Sequence, residues 1–183
     1  ISTVTAGTNL PVYIQLIDEN GNPTAGEQRF LRVIDECSGN TEFVDALDSA
    51  FVELTPTVSC DESRIRVLNA QDGLILGESN VFSVTAAAPF GLTIQNIQNR
   101  VQTGQDFEFI VQLMDEYENV VDETEDQIVL DNLPAEVISL DCTSFSEGLS
   151  LCEAQFNQIL EGYRLLVQTE AGISGFSPFV SVE

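Results

Sequence analysis

Carboxylates are the side chains of this sequence with the greatest capacity for chemistry. The chain has 30 Asp and Glu residues, six Arg, and neither Lys nor His. Seven of the twelve residues in 115–126 are acids, and a shorter oxygen-rich turn occupies 18–22. Calcium takes about six to eight oxygen ligands, and flexible acidic loops supply them. The sequence therefore predicts calcium ligands at Asp18, Asn20, Asn22, Asp115, Glu116, Glu118 and Asp122.

A structural role is the alternative for the same acids. The spacing in 115–126 does not match an EF-hand, because no Glu stands where the bidentate ligand is required. Asp18 and Asp115 could instead accept hydrogen bonds within a turn, while the other acids keep the surface soluble. Both interpretations stay open at the level of sequence.

The residue inventory argues against several function classes. Without His or Lys, a Ser or Cys nucleophile lacks its usual base, and no pair of acids stands out as a glycosidase pair. The sequence therefore predicts that the chain is not an enzyme. A net charge of −24 repels nucleic acid and anionic membranes, and no apolar run is long enough for membrane insertion.

The chain has two cysteines in each half, and their positions do not match when the two halves are aligned by the repeat. Cys37 and Cys60 lie in the first half of the chain, and Cys142 and Cys152 lie in the second. Three pairings are possible, and pairing within each half is the simplest. Such disulfides indicate an oxidising, extracellular compartment, whereas the alternative is four buried thiols in a cytosolic protein. A start at Ile1 without Met is typical of a processed or excised segment.

Two internal repeats define the organisation of the chain. The segment 6–22 returns as 103–119, at an offset of 97 residues. Near the ends of the two halves, 66–68 matches 164–166 and 77–79 matches 175–177. The repeats predict two copies of one domain, at 1–87 and 88–183, each large enough for a β-sandwich. The short linker Ala86–Pro89 is expected to hold the copies end to end.

Alternating apolar residues predict the elements that position these groups. The first repeat places apolar side chains on one face of a strand in both copies, at Leu10, Val12, Ile14 and Leu16 and at Phe107, Phe109, Val111 and Leu113. Short strands separated by turn residues indicate an all-β chain of two tandem antiparallel β-sandwich domains. The segment 149–160 has a loose helical period, but we interpret it as strand plus loop.

The turn that follows this strand differs in sequence between the copies. Gly21 in the first copy can supply a positive φ, whereas Glu118 takes its place in the second. The sequence therefore predicts two turns of different detail.

The first domain is predicted to lack an edge strand. Residues 92–97 read as the first strand of the second domain, and the matching position in the first domain falls before Ile1. Ile1, Thr3 and Thr5 then form an edge to which a neighbouring subunit could add a strand. The alternative is that the strand lies upstream of Ile1.

The repeated pattern resembles a known class of domain. The stretch AGTNLPVYIQLIDENGNP at 6–23 resembles the opening strands of bacterial Ig-like repeats of the invasin and intimin type. Residues 77–84 and 175–182 resemble the last strand of the same modules. The resemblance implies stalks or adhesive tips on a cell surface. The cysteine pairs depart from the commonest bacterial versions.

These observations favour a structural function. We expect a segment of an extracellular surface fibre or adhesin stalk, which associates with itself or with neighbouring domains of the same surface protein. The alternative is a module that recognises a glycan or a protein through loops at one end of a sandwich. Clustering of Tyr13, Tyr117 and Phe145 on one surface would favour recognition.

Overall fold

The computed structural model describes residues 2–122, 126–129 and 136–183. The chain divides into two compact units, 1–87 and 88–183, called domain 1 and domain 2 below. The described residues form strands and turns and contain no helix, and so no helix that could cross a membrane. The predicted all-β class is confirmed, and each domain is an Ig-like β-sandwich.

The described residues of domain 1 contain nine strands, distributed along the sequence from Ser2 to Thr85. They are β1 (Ser2–Thr5), β2 (Leu10–Gln15), β3 (Gln28–Asp35), β4 (Thr41–Leu47), β5 (Ser49–Leu54), β6 (Cys60–Ser63), β7 (Ile65–Asn69), β8 (Ile75–Glu78) and β9 (Phe82–Thr85). The larger sheet has the order β2-β5-β4-β3-β7-β8, and the smaller has β1-β9-β6. Strands β4 and β5 meet at a single pair, Leu47 opposite Ser49, where the chain turns from one to the other.

Domain 2 repeats this plan with one additional strand at its start. Its strands are β10 (Gly91–Gln95), β11 (Arg100–Val101), β12 (Asp106–Met114), β13 (Ile128–Val129), β14 (Val137–Cys142), β15 (Leu149–Phe156), β16 (Leu160–Tyr163), β17 (Leu166–Thr169), β18 (Ser174–Phe176) and β19 (Val180–Val182). They form sheets of order β10-β12-β15-β14, β13-β17-β18 and β11-β19-β16. The segment 149–160 is strand followed by a turn, so its interpretation as strand plus loop is confirmed.

Alternation of side chains builds the core of domain 2. Along β12, every second residue is buried, and Phe107, Phe109, Val111 and Leu113 all point inward. Phe107 stacks on Phe156 of β15 with ring centroids 5.2 Å apart. Burying side chains of this size contributes about 1.5–3 kcal/mol each, which explains why the apolar alternation persists in both copies.

The repeat of 77–79 as 175–177 contains a serine that makes the same hydrogen bonds in both domains. The Oγ of Ser79 accepts a hydrogen bond from the N–H of Ile65 and donates one to the carbonyl of Asn80. Ser177 makes the same pair of bonds to Leu165 and Pro178. Each serine satisfies a backbone N–H just where the neighbouring strand breaks, between β6 and β7 and between β16 and β17.

These bonds also correct the alignment of the repeat. Because Ser79 contacts Ile65 and Ser177 contacts Leu165, Ile65 and Leu165 are equivalent. Arg164 therefore corresponds to Arg64, at an offset of 100, and not to Arg66. The sequence match between 66–68 and 164–166 is wrong by two residues, because insertions between the two repeats change the offset within the domain.

The turns after β2 and β12 have the same backbone. The N–H of Gly21 donates to the carbonyl of Asp18, and the N–H of Glu118 donates to the carbonyl of Asp115. Gly21 has φ of 82°, and Glu118 has φ of 68°. The expectation of two different turns is therefore wrong for the backbone, since Glu118 adopts the left-handed conformation that Gly21 adopts.

One disulfide lies in each domain. Cys37–Cys60 connects the turn after β3 to the start of β6, and so joins the two sheets of domain 1. Cys142–Cys152 connects directly opposed residues of β14 and β15. Closing loops of 23 and 10 residues restricts the unfolded chain and contributes about 3 kcal/mol for each bridge in the chain-entropy model.

Candidate functional site

The acidic turn of domain 1 is organised around one carboxylate. Oδ1 of Asp18 accepts hydrogen bonds from the backbone N–H groups of Asn20 and Asn22, both at 2.9 Å. The side-chain amide of Asn22 donates to Oδ2 at 3.3 Å. The bond from the backbone of Asn22 is the main cause that lowers the pKa of Asp18. The carboxylate therefore serves as the internal acceptor of the turn.

Asp115 has the same position and the same partners in domain 2. Its Oδ1 accepts from the N–H groups of Tyr117 and Asn119 at 2.8 Å each, and the amide of Asn119 donates to Oδ2 at 2.8 Å. Unlike Asp18, which is exposed, Asp115 is buried.

The remaining predicted calcium ligands are exposed. They are Glu116, Glu118 and Asp122. In the part of the chain that the structure describes, no group of three or more acidic or cysteine side chains is arranged to hold a metal ion. Calcium binding at these turns stays a prediction.

Asp48 organises a second loop of domain 1 that sequence analysis missed. It lies between β4 and β5 with φ of 62° and accepts hydrogen bonds from the N–H groups of Gly26 and Glu27 at 2.9 Å. The bond from Gly26 is the largest of the causes that lower the pKa of Asp48. Asp48 in the short Leu-Asp-Ser segment was the available sequence signal, because Asp is common in turns.

A buried carboxylate was also missed. Asp35 is fully buried at the end of β3 and accepts hydrogen bonds from the hydroxyl of Ser63 at 2.6 Å and from the N–H of Ser38 at 3.1 Å. The hydroxyl of Ser38 and the N–H of Cys37 are further donors. Asp35 thus connects the disulfide turn to β6, because buried charges persist only where several donors satisfy them.

The predicted strand-exchange edge lies in β1, apart from Ile1, which falls outside the described residues. Thr3 and Thr5 belong to a strand that pairs in parallel with β9, where they oppose Ser83 and Thr85. In domain 2 the same pairing joins β11 to β19. Strand β1 therefore already has a partner on one side, and strand exchange at this edge stays a prediction.

The two copies differ at the edge beside β2, where the sequence predicted that domain 1 lacks a counterpart of residues 92–97. Strand β12 pairs with β10 on one side and β15 on the other, whereas β2 pairs with β5 alone among the described residues. The core-facing residues of β2 are half-buried, although their equivalents on β12 are buried. The sequence placed the open edge at Ile1, Thr3 and Thr5, whereas the unpaired edge among the described residues is that of β2.

Three aromatic residues would favour recognition if they were clustered on one surface. Tyr117 and Phe145 are half-buried in domain 2. Tyr13 belongs to domain 1, where it is 80 % exposed and lies beside Phe51 with ring centroids 4.9 Å apart. Half-burial of Tyr117 and Phe145 favours a structural role for these two side chains over recognition.

Comparisons with known proteins show the fold alone. No protein-family model matches the chain, and no curated protein matches it. Among solved structures, domains 4 and 5 of the S-layer protein SbsC are 16 % identical over 70 % of this chain and 68 % of theirs, with a TM-score of 0.38. The chain is similar to bacterial adhesins as well.

Two of these adhesin structures cover nearly the whole chain. The Escherichia coli adhesin FdeC is 15 % identical over 97 % of this chain and 59 % of its own, with a TM-score of 0.44. InvD of Yersinia pseudotuberculosis is 14 % identical over 99 % and 55 %, with a TM-score of 0.43. The chain thus spans little more than half the length of these two proteins. They belong to the surface-protein class that the sequence patterns resemble.

Proposed function

We propose that this chain is a structural segment of an extracellular surface fibre or adhesin stalk, built of Ig-like domains that join their neighbours by β-strand complementation. The observation that supports this proposal most directly is the repeat itself. The two domains share their core positions, the turns after β2 and β12 and the serine at the strand break, while their surfaces and disulfides differ. Shared scaffold with divergent surface is typical of modules that provide length.

The chemistry of the described residues agrees with this proposal. Each domain contains its own disulfide, which suits an oxidising compartment. The absence of Lys from the sequence leaves only Arg for trypsin-like proteases, an advantage for a protein outside the cell. Electrostatic repulsion from the charge of −24 keeps such segments apart except where specific contacts form.

Microscopy of the native material tests this function. An antibody against the chain, used with gold labelling and negative staining of the producing cells, should decorate filaments or a surface layer. Pre-immune serum provides the control. Label confined to the cell interior, or to dispersed protein in the medium, would contradict the proposal.

Calcium binding at the acidic turns can be tested by its effect on thermal stability. If 18–22 or 115–122 binds calcium, millimolar calcium should raise the melting temperature of the chain, because a ligand that binds only the folded state stabilises it. Differential scanning calorimetry in calcium and in chelator measures this directly. Identical melting curves in the two buffers would show that the acids act only as turn acceptors and surface charge.

A further inference from the structure

Domain 1 has a groove with an apolar floor beside the unpaired edge of β2. The groove lies between β2 and β8 and has a volume of about 380 Å³. Val12, Ile14, Leu16 and Val67 line it with half-buried apolar side chains, next to Gly77. The charged residues Glu27, Arg29 and Glu78 also line the groove.

Strand β10 fills the equivalent position in domain 2. It runs antiparallel to β12, with Leu92 opposite Leu113 and Ile94 opposite Val111. Leu92 is 8 % exposed and Ile94 is 5 % exposed, so both side chains complete the core. Every second residue of β10 thus closes the space that stays open in domain 1.

A pair of glycines shows that the two positions correspond. Gly77 lies opposite Val67, and Gly175 lies opposite Val167, two residues before the equivalent serines. A Cβ added to Gly175 would collide with the backbone carbonyl of Leu92, whereas a Cβ added to Gly77 would meet nothing within 4 Å. The glycine that makes room for β10 in domain 2 is therefore present in domain 1 without the strand that requires it.

The register of a strand in this groove follows from domain 2. Strand β10 pairs with residues 110–114, and the first repeat matches these to residues 13–17. Pro11, which lacks the N–H that a ladder needs, lies outside this stretch. Residues 13–17 thus contain none of the proline and charged residues that usually protect an exposed strand.

Charge restricts the chemistry of the strand that fits. Domain 1 has 13 acids and four Arg, a net charge of −9. Strand β10 lies within 80–99, a stretch of the sequence without any charged residue. An uncharged strand avoids repulsion from the acidic domain and needs no desolvation of charge beside Val12 and Ile14.

We propose that the groove of domain 1 is the acceptor site for an uncharged β-strand of a neighbouring subunit, with apolar side chains at two positions separated by one residue, as in β10. The strand pairs antiparallel with residues 13–17, and its two apolar side chains occupy the places that Leu92 and Ile94 take in domain 2. The source of the strand, a neighbouring subunit, rests on the proposed function. The acceptor edge is β2 and not β1.

A synthetic peptide with the sequence of residues 89–97 tests the site. Added to the full chain, it should bind with one-to-one stoichiometry in isothermal titration calorimetry. Hydrogen exchange should slow in the segment 13–17 and stay unchanged in 110–114, where β10 already pairs. Absence of binding, or protection elsewhere in the chain, would overturn the proposal.

Matched variants make the test specific. Gly77→Val should weaken peptide binding about tenfold or more, because its side chain enters the groove, yet the variant should fold since no atom is displaced. Gly91→Val is the control, as Gly91 also has open space and lies outside domain 1. A peptide with serine in place of the residues equivalent to Leu92 and Ile94 should bind at least tenfold less tightly. Equal binding by Gly77→Val or by the serine peptide would overturn the proposal.

The peptide-binding experiment can fail independently of the labelling experiment that tests the proposed function. Peptide binding with the stated specificity, together with label inside the cell, would leave the acceptor groove established and remove the fibre. Labelled surface filaments together with no peptide binding would leave the fibre and remove the groove.

Discussion

Glu118 adopts a backbone conformation that its residue type disfavours. It has φ of 68°, where a side chain with a Cβ costs about 1 kcal/mol relative to glycine. The hydrogen bonds between Asp115 and Asn119 hold the turn in spite of this cost. The structure of the turn is therefore set by Asp115, and glycine at the third following position is favourable but not required.

A reciprocal exchange of residues tests this conclusion. Glu118→Gly should stabilise domain 2, and Gly21→Glu should destabilise domain 1, each by about 1 kcal/mol, because only the φ preference changes. Urea unfolding followed by domain-resolved hydrogen exchange measures both effects. Glu116→Gly, at a neighbouring position without positive φ, is the control and should give no gain. A gain as large for Glu116→Gly would contradict the role of φ.

Asp48 and Asp18 make the stability of domain 1 sensitive to acid. Backbone N–H donors lower the pKa of both side chains, so their stabilising effect is complete above the unfolded value of about 3.9 and is lost as the pH falls through the folded value. Asp48→Asn keeps a side-chain oxygen and tolerates the positive φ, but does not titrate. The wild-type chain should therefore lose more of its melting temperature between pH 5 and pH 3 than the variant. Equal losses would exclude Asp48 as a contributor.

At the scale of strands, the sequence predicts strands whose side chains alternate between buried and exposed. It does not predict strand ends that depend on hydrogen bonds to residues distant in sequence. The alternating segments 10–16 and 107–113 correspond to β2 and β12, since burial of every second residue is a local pattern. Alternation does not show the break between β16 and β17, because Ser177, distant in sequence, accepts a hydrogen bond from the N–H of Leu165. Strand β4 was not predicted, as Thr41–Leu47 has four exposed residues and lacks a clear alternation.

The candidate site shows the same division. The sequence identifies Asp18 and Asp115 as turn or ligand residues, because Asp followed by Asn four positions later is a local signal. It places the open edge at β1, whereas the groove lies beside β2. The order of strands in a sheet depends on which chain segments meet in space, and spacing along the sequence does not encode it.

At the scale of the whole molecule, the described residues of the two domains differ in whether a strand covers the edge of the sheet at β2 or β12. In domain 2, β10 covers β12 and the core is closed at Leu92 and Ile94. In domain 1, β2 leaves Val12 and Ile14 half-buried. Buried apolar area contributes about 25 cal/mol per Å² to the free energy of unfolding. Because Val12 and Ile14 are only half-buried, they contribute less to the stability of domain 1 than they would if a strand covered them. A strand from outside would increase this contribution.

If strands of neighbouring subunits occupy the groove of domain 1, the assembly has a direction, because β10 takes the equivalent position in domain 2. A strand that enters domain 1 of the next molecule makes a contact between unlike surfaces, so the same contact can repeat without end. Such a filament has two different tips, one with an empty groove and one with an unused strand. Growth and capping are then properties of separate ends, and a free peptide that fills the groove would act as a chain terminator.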